Sequence, residues 1–155
     1  MTTTSFINSI MSHVPSFNGA HSCDTLPQII FKNSIASLIV NLDPNDLPGS
    51  HWVALFFSVQ SEFSTICYYY DPLALDCTNK YILKFIHNYT DDIYSNKVPT
   101  QHILSNYCGL FTIGFILFFN SRDGKCLIND FNSMFNRSNL TYNDSIIAKY
   151  IMNTI

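Results

Sequence analysis

Residues 51–72 read HWVALFFSVQSEFSTICYYYDP. Two runs of β-branched and aromatic residues, 52–59 and 65–70, flank a short polar stretch. Such residues favour extended chain, and a short connection pairs the two strands as an antiparallel hairpin. Pro72 has no N–H to offer a ladder, so it ends the second strand and leaves Asp71 at its tip. His51 opens the first strand. In an antiparallel pair the start of one strand lies beside the end of the other. Chain order alone therefore predicts an imidazole next to a carboxylate.

Upstream of the hairpin, IASLIVNL at 35–42 predicts a buried strand, and the turn cluster DPNDLPGS at 43–50 delivers His51 to the next one. Residues 4–13 predict a short amphipathic helix with Phe6, Ile7, Ile10 and Met11 on one side. Phe17-Asn18-Gly19 and Leu26-Pro27 read as loop. Downstream, 79–89 predicts a surface helix with Tyr81, Ile82, Phe85, Ile86 and Tyr89 inward. Residues 98–103 predict a short strand carrying Gln101. A long apolar helix is expected to begin at or near Cys108, and two more around 126–135 and 144–153. No repeat or domain boundary is evident. The expectation is one domain, 1–155, of the α+β class, with a small central mixed or antiparallel sheet packed against helices.

Composition narrows the function. The chain has 155 residues, 47% hydrophobic and only 12% charged. Its longest apolar run, 110–119, is too short to span a bilayer and reads as a buried helix. The start, MTTTSFINSI, lacks a basic region followed by an apolar stretch, so neither secretion nor membrane insertion is expected. With 8 basic residues against 11 acidic and a net charge of −3, a phosphate-binding stripe is not expected, and nucleic acid is an unfavoured partner. The five cysteines, at 23, 67, 77, 108 and 126, show no CxxC or zinc spacing. No metal or organic cofactor is expected, and the thiols are expected to be reduced.

Cys108 stands apart from the other cysteines. It precedes Gly109 and an apolar helix, where unpaired backbone N–H groups and the helix dipole lower a thiol pKa. For Cys67, Cys77 and Cys126 the simpler reading is a small buried hydrophobe. His51 is distinguished from His13, His21, His87 and His102 by its place between a turn and a buried strand, beside Trp52. His102 would share a strand with Gln101 and point to the opposite face. A thiol nucleophile, an imidazole base, an orienting carboxylate and an amide donor for the oxyanion are the parts of a cysteine hydrolase.

His51-Trp52, Asp71-Pro72, Gln101 and Cys108-Gly109-Leu110-Phe111, in that order, resemble the adenovirus-type cysteine endopeptidases, or adenains, and their relatives in virophages and Polinton/Maverick-like elements. Gln and Cys lie 108 − 101 = 7 positions apart, as in that family. PGSHWVALFF, CYYYDPLALD, SNYCGLFTIGFILFF and the earlier FNGAHSCDTLP look like its core blocks. The resemblance covers roughly residues 17–120. It implies an adenain-like, permuted papain-like fold. Cys108 would be the nucleophile, His51 the base and then acid, Asp71 the orienter and Gln101 the oxyanion donor. It further implies cleavage of capsid and core precursor proteins during virion maturation, in the virion and in the host nucleus or a cytoplasmic virus factory. The expected state is a monomer acting on protein or polyprotein substrates.

Adenovirus enzymes are basic, are stimulated by DNA, and bind a viral peptide that can be disulfide-linked. This chain is acidic and has no cysteine between Cys77 and Cys108. DNA stimulation is therefore not expected, and an activator, if there is one, is expected to be a peptide. Ubiquitin-like-modifier deconjugases share the residue order but typically carry Asp before Cys-Gly, where this chain has Tyr107. The non-enzymatic alternative is an inactive protease-like virion structural protein.

Overall fold

The computed structural model describes residues 2–155. Helix α1 (Thr4–Met11) is followed by β1 (Phe17–Ser22), β2 (Ile35–Asn41), β3 (Trp52–Ser61) and β4 (Ser64–Tyr70). Next come α2 (Lys80–His87), β5 (Ile93–Ser95), α3 (Cys108–Ser121), α4 (Ile128–Asn132) and α5 (Asn143–Thr154). The strands form one sheet in the order β1-β2-β3-β4-β5. β2, β3 and β4 pair antiparallel, while β1 on β2 and β5 on β4 are parallel. The class is α+β with a mixed sheet, as the sequence predicts.

The central strands are buried on both faces, which explains their near-continuous apolar runs. Successive side chains alternate between two cores. Trp52, Ala54 and Phe56 of β3 and Tyr68 and Tyr70 of β4 face α1, α3, α4 and α5. Val53, Leu55, Phe57, Cys67 and Tyr69 face α2. Helix α3 is apolar around most of its circumference because it is enclosed by the sheet on one side and α5 on the other. Phe115 stacks on Tyr70, with centroids 4.6 Å apart, and meets Phe119 and Phe131 as well. No helix among the described residues is long and apolar enough to cross a membrane.

The structure departs from the sequence reading at several places, among them α4, which spans only Ile128–Asn132 where 126–135 is predicted, and Phe6, which is exposed while Ile7 and Met11 are buried. Phe17-Asn18-Gly19 lies in β1, not a loop; Gly19 takes φ +99° where the register shifts between Phe17 and Ala20. The Asn-Gly turn signal is absorbed as a bulge, while long-range parallel pairing supplies the strand. Residues 98–103 form no strand, and their turn-like path is set by a shared acceptor: the Thr100 and Gln101 N–H groups both donate to the Pro72 carbonyl. The edge strand is β5 instead. Tyr81 points outward, whereas Ile82, Phe85 and Ile86 are buried and Tyr89 packs on Phe57 from just beyond the helix.

Truncating the aromatic stack is the sharpest test of this core. Phe115→Ala should cost about 3–5 kcal/mol in denaturant unfolding, with the slope unchanged. A loss below about 1 kcal/mol, within the range of surface changes, would show that α3 does not pack on the sheet as described.

Candidate active site

The hairpin register places the first part of the site. Ala54 pairs with Tyr70 and Asn41 with Trp52, so the start of β3 lies beside the end of β4. The Leu42 N–H donates to the His51 carbonyl at 3.0 Å, fixing the backbone before β3. The preceding turn needs Gly49, at φ +87°, where a Cβ would come within 2.8 Å of the Asn41 amide. His51 Nε2 then meets Asp71 Oδ1 at 2.7 Å, with the carboxylate almost wholly buried. That oxygen also accepts the Leu73 N–H at 2.8 Å.

Asn96 is a residue the sequence reading missed. Its Oδ1 accepts the Asp71 N–H at 3.0 Å, and its Nδ2 donates to the Asp71 carbonyl at 2.7 Å. This reciprocal clamp holds the Asp71 backbone, and so aims the carboxylate. Asn96 lies in a stretch without motif, and only three-dimensional proximity reveals it.

Cys108 is the first residue of α3. Tyr107 supplies no side-chain cap, so the first turn keeps unpaired N–H groups. His51 Nε2 is committed to Asp71, which leaves Nδ1 for the thiol. Imidazole and thiol are close enough to perturb each other's titration, each acting on the other through hydrogen bonding and charge. Burial raises the Cys108 pKa, but the interaction with His51, the Trp52 and Gly109 backbone groups and the imidazolium charge outweigh it and lower the thiol. Burial likewise opposes the imidazolium, yet Asp71 and Cys108 together raise His51 to about 9. Both shifts favour a thiolate–imidazolium pair. In contrast, burial pushes the thiols of Cys67, Cys77 and Cys126 upward.

Gln101 shares a cleft of about 600 Å³ with His51 and Cys108. Its Nε2 donates to the Ser105 carbonyl at 2.8 Å, which fixes the amide orientation and leaves a second N–H. Its Oε1 is buried without a partner. The loop around it is tied from several sides: Tyr70 hydroxyl meets Thr100, Asn143 Nδ2 donates to the Thr100 carbonyl at 2.8 Å, and Ser105 Oγ donates to Asp144 at 2.9 Å. The start of α5 thus braces the Gln101 loop.

The structure therefore gathers His51, Gln101 and Cys108 at one cleft, with Asp71 buried behind His51. Three of the other four histidines are held elsewhere, His21 on the Asn18 carbonyl, His87 on Asp91 and His102 on the Leu104 N–H, and His13 is exposed away from the cleft. Among the described residues no three His, Cys, Asp or Glu side chains form a metal-binding group.

No family model matches the chain, and no curated protein does. Its fold is similar to the central domain of the uncharacterized Lpg1148 protein from Legionella pneumophila, at a TM-score of 0.51 and 11% identity over 94% of both chains. The ASFV pS273R protease gives 0.46 at 13% identity, over 73% of this chain and 43% of that one. HopZ1a, crystallised with IP6, gives 0.49 at 9% identity, over 88% of this chain and 47% of that one. The chain thus spans under half of these last two. At such identities the likeness is one of fold.

The coupling is directly measurable by NMR titration of His51. Its pKa should lie near 9 in the intact protein and fall in Cys108→Ala, and also in Asp71→Asn. A folded pKa above the ordinary 6.5 stabilises the fold fully below 6.5 and loses that contribution as pH rises through about 9. The Tm gap between wild type and His51→Gln should therefore shrink across that window. An unchanged His51 pKa in Cys108→Ala would separate thiol from ring.

Proposed function

We propose that this protein is a cysteine endopeptidase of the adenovirus type. The observation that carries the reading is His51, held by Asp71 through Nε2 and close enough to Cys108, at the start of α3, for each group to shift the other's titration. A thiol lowered by a neighbouring imidazole inside a cleft is the perturbation that a nucleophilic site requires.

The chemistry follows from these positions. The Cys108 thiolate attacks the peptide carbonyl, whose oxygen becomes an oxyanion. The Cys108 N–H and the free N–H of Gln101 are the donors available to it. The His51 imidazolium gives its proton to the departing amine, the C–N bond breaks, and a thioester remains. Neutral His51 then takes a proton from water, which attacks the thioester and releases the acid and the thiolate. Asp71 keeps the ring in place and stabilises its charged form throughout.

The substrates are viral capsid and core precursor proteins cut during virion maturation, the role implied by the residue blocks around His51, Asp71 and Cys108. Two features support a DNA-independent enzyme. The net charge is −3, and the cations divide between the two faces of the sheet, with Lys80 and Lys84 on α2 and Arg122 and Lys125 after α3. Arg122 is further engaged over the Phe118 ring at 3.6 Å.

Purified protein given precursor proteins or a peptide library should cleave them, and Cys108→Ala should not. Asp71→Asn should retain more activity than His51→Ala. Gln101→Ala should lose about 2.7–4 kcal/mol of transition-state stabilisation, chiefly in kcat. The kcat/KM profile should fall on the acid side through a thiol pKa below the ordinary 9.0 and on the alkaline side near 9 as His51 deprotonates. Cleavage that survives Cys108→Ala, or an absence of cleavage with Cys108 no more reactive than Cys67, would sink the reading. Rate stimulation by duplex DNA that disappears with added salt would overturn DNA independence alone.

A further inference from the structure

One wall of the cleft takes no part in the chemistry above. The N-terminal segment, Thr2 to Thr4, lines the same cleft as His51 and Cys108. It is pinned at each end. The Trp52 indole N–H donates to the Thr2 carbonyl at 3.1 Å. Thr3 caps α1, its Oγ1 accepting the Phe6 N–H at 3.2 Å and its carbonyl the Ile7 N–H at 3.0 Å. Helix α1 is itself anchored through Ile7 and Met11, both fully buried. The segment is thus a fixed strap.

Gly109 shows where the Thr2 side chain sits. A Cβ at position 109 would collide with Thr2 Cγ2 and Thr2 Cβ. Thr2 therefore occupies the space that a side chain next to the nucleophile would otherwise take. The apolar side chains elsewhere in the lining, Leu47, Leu75 and Ile103, are all exposed. Those side chains can move aside for a bulky group, whereas a strap held by an indole hydrogen bond and a docked helix yields only at a cost.

We propose that Thr2 is a specificity-determining residue: its side chain is the rigid wall beside Cys108 and limits the bulk of the group that reaches the thiolate. Its meaning for substrate choice rests on the endopeptidase reading, but the steric filter itself does not. In a site that cannot relax, one or two methyl groups are worth roughly 10–200-fold in discrimination.

The test is competitive alkylation of Cys108 in the full chain by iodoacetamide and a bulky N-aryl iodoacetamide, with modification read at the Cys108 peptide by mass spectrometry. Wild type should strongly favour the small reagent. Thr2→Gly should reduce that preference by roughly tenfold. Thr2→Val, which keeps the bulk and loses only the hydroxyl, should preserve it. Equal preference in wild type and Thr2→Gly overturns the proposal, and loss of the filter in Thr2→Val overturns its attribution to bulk. Both reagents attack any thiol, so the readout does not require peptide cleavage. A protein that cleaves no peptide yet shows the filter defeats the endopeptidase reading alone. One that cleaves peptides with a side-chain profile unaltered by Thr2→Gly defeats the Thr2 proposal alone.

Discussion

The antiparallel pairing of β3 with β4 is the constraint on which the site depends. Its register is fixed because side chains alternate between two cores, and a slip by one residue would exchange Phe56 and Tyr70 with the set facing α2. Such a slip would also carry His51 away from Asp71. Hydrophobic sorting across the sheet therefore decides where a buried carboxylate meets its imidazole. That meeting matters energetically, since a carboxylate as buried as Asp71 is costly unless charged or hydrogen-bonded partners surround it. His51 and the Leu73 N–H supply them, both at Oδ1.

Helix α3 brings the thiol by a different route. Its burial between the sheet and α5 is set by apolar contact all round, with Gly114 allowing Ile147 of α5 to approach closely. The same helix α5 braces the Gln101 loop through Asn143 and Asp144. Cys108 and Gln101 are thus referenced to one packed unit of two helices, and His51 and Asp71 to the sheet. Tyr70 joins the two, stacked on Phe115 and hydrogen-bonded to Thr100.

What could be read in the sequence follows from the range of the forces involved. β2, β3, β4 and α3 are legible because burial on both sides writes long apolar runs, and Pro72 marks where a strand must stop. The neighbourhood of His51 and Asp71 is legible because a hairpin is local. β1 was hidden because its partner is parallel and distant, and its Asn-Gly pair has the chemistry of a turn. The path of residues 98–103 was hidden for the opposite reason: β-formers are present, but the carbonyl that captures their N–H groups belongs to Pro72, far back in the chain. Asn96 and Thr2 have no local signature at all, since each acts through a contact that only folding creates.

The lowered thiol of Cys108 has a consequence for how long the protein stays intact. Thiolates are the form that peroxide attacks, and burial keeps the protonated thiols of Cys67, Cys77 and Cys126 poorly reactive. No other described cysteine lines the cleft. A sulfenic acid formed at Cys108 would have no neighbouring thiol there to trap it as a disulfide, and continued oxidation leads to the irreversible sulfinic and sulfonic acids. For the enzyme proposed above, oxidation of this one sulfur atom would end activity while leaving the fold standing.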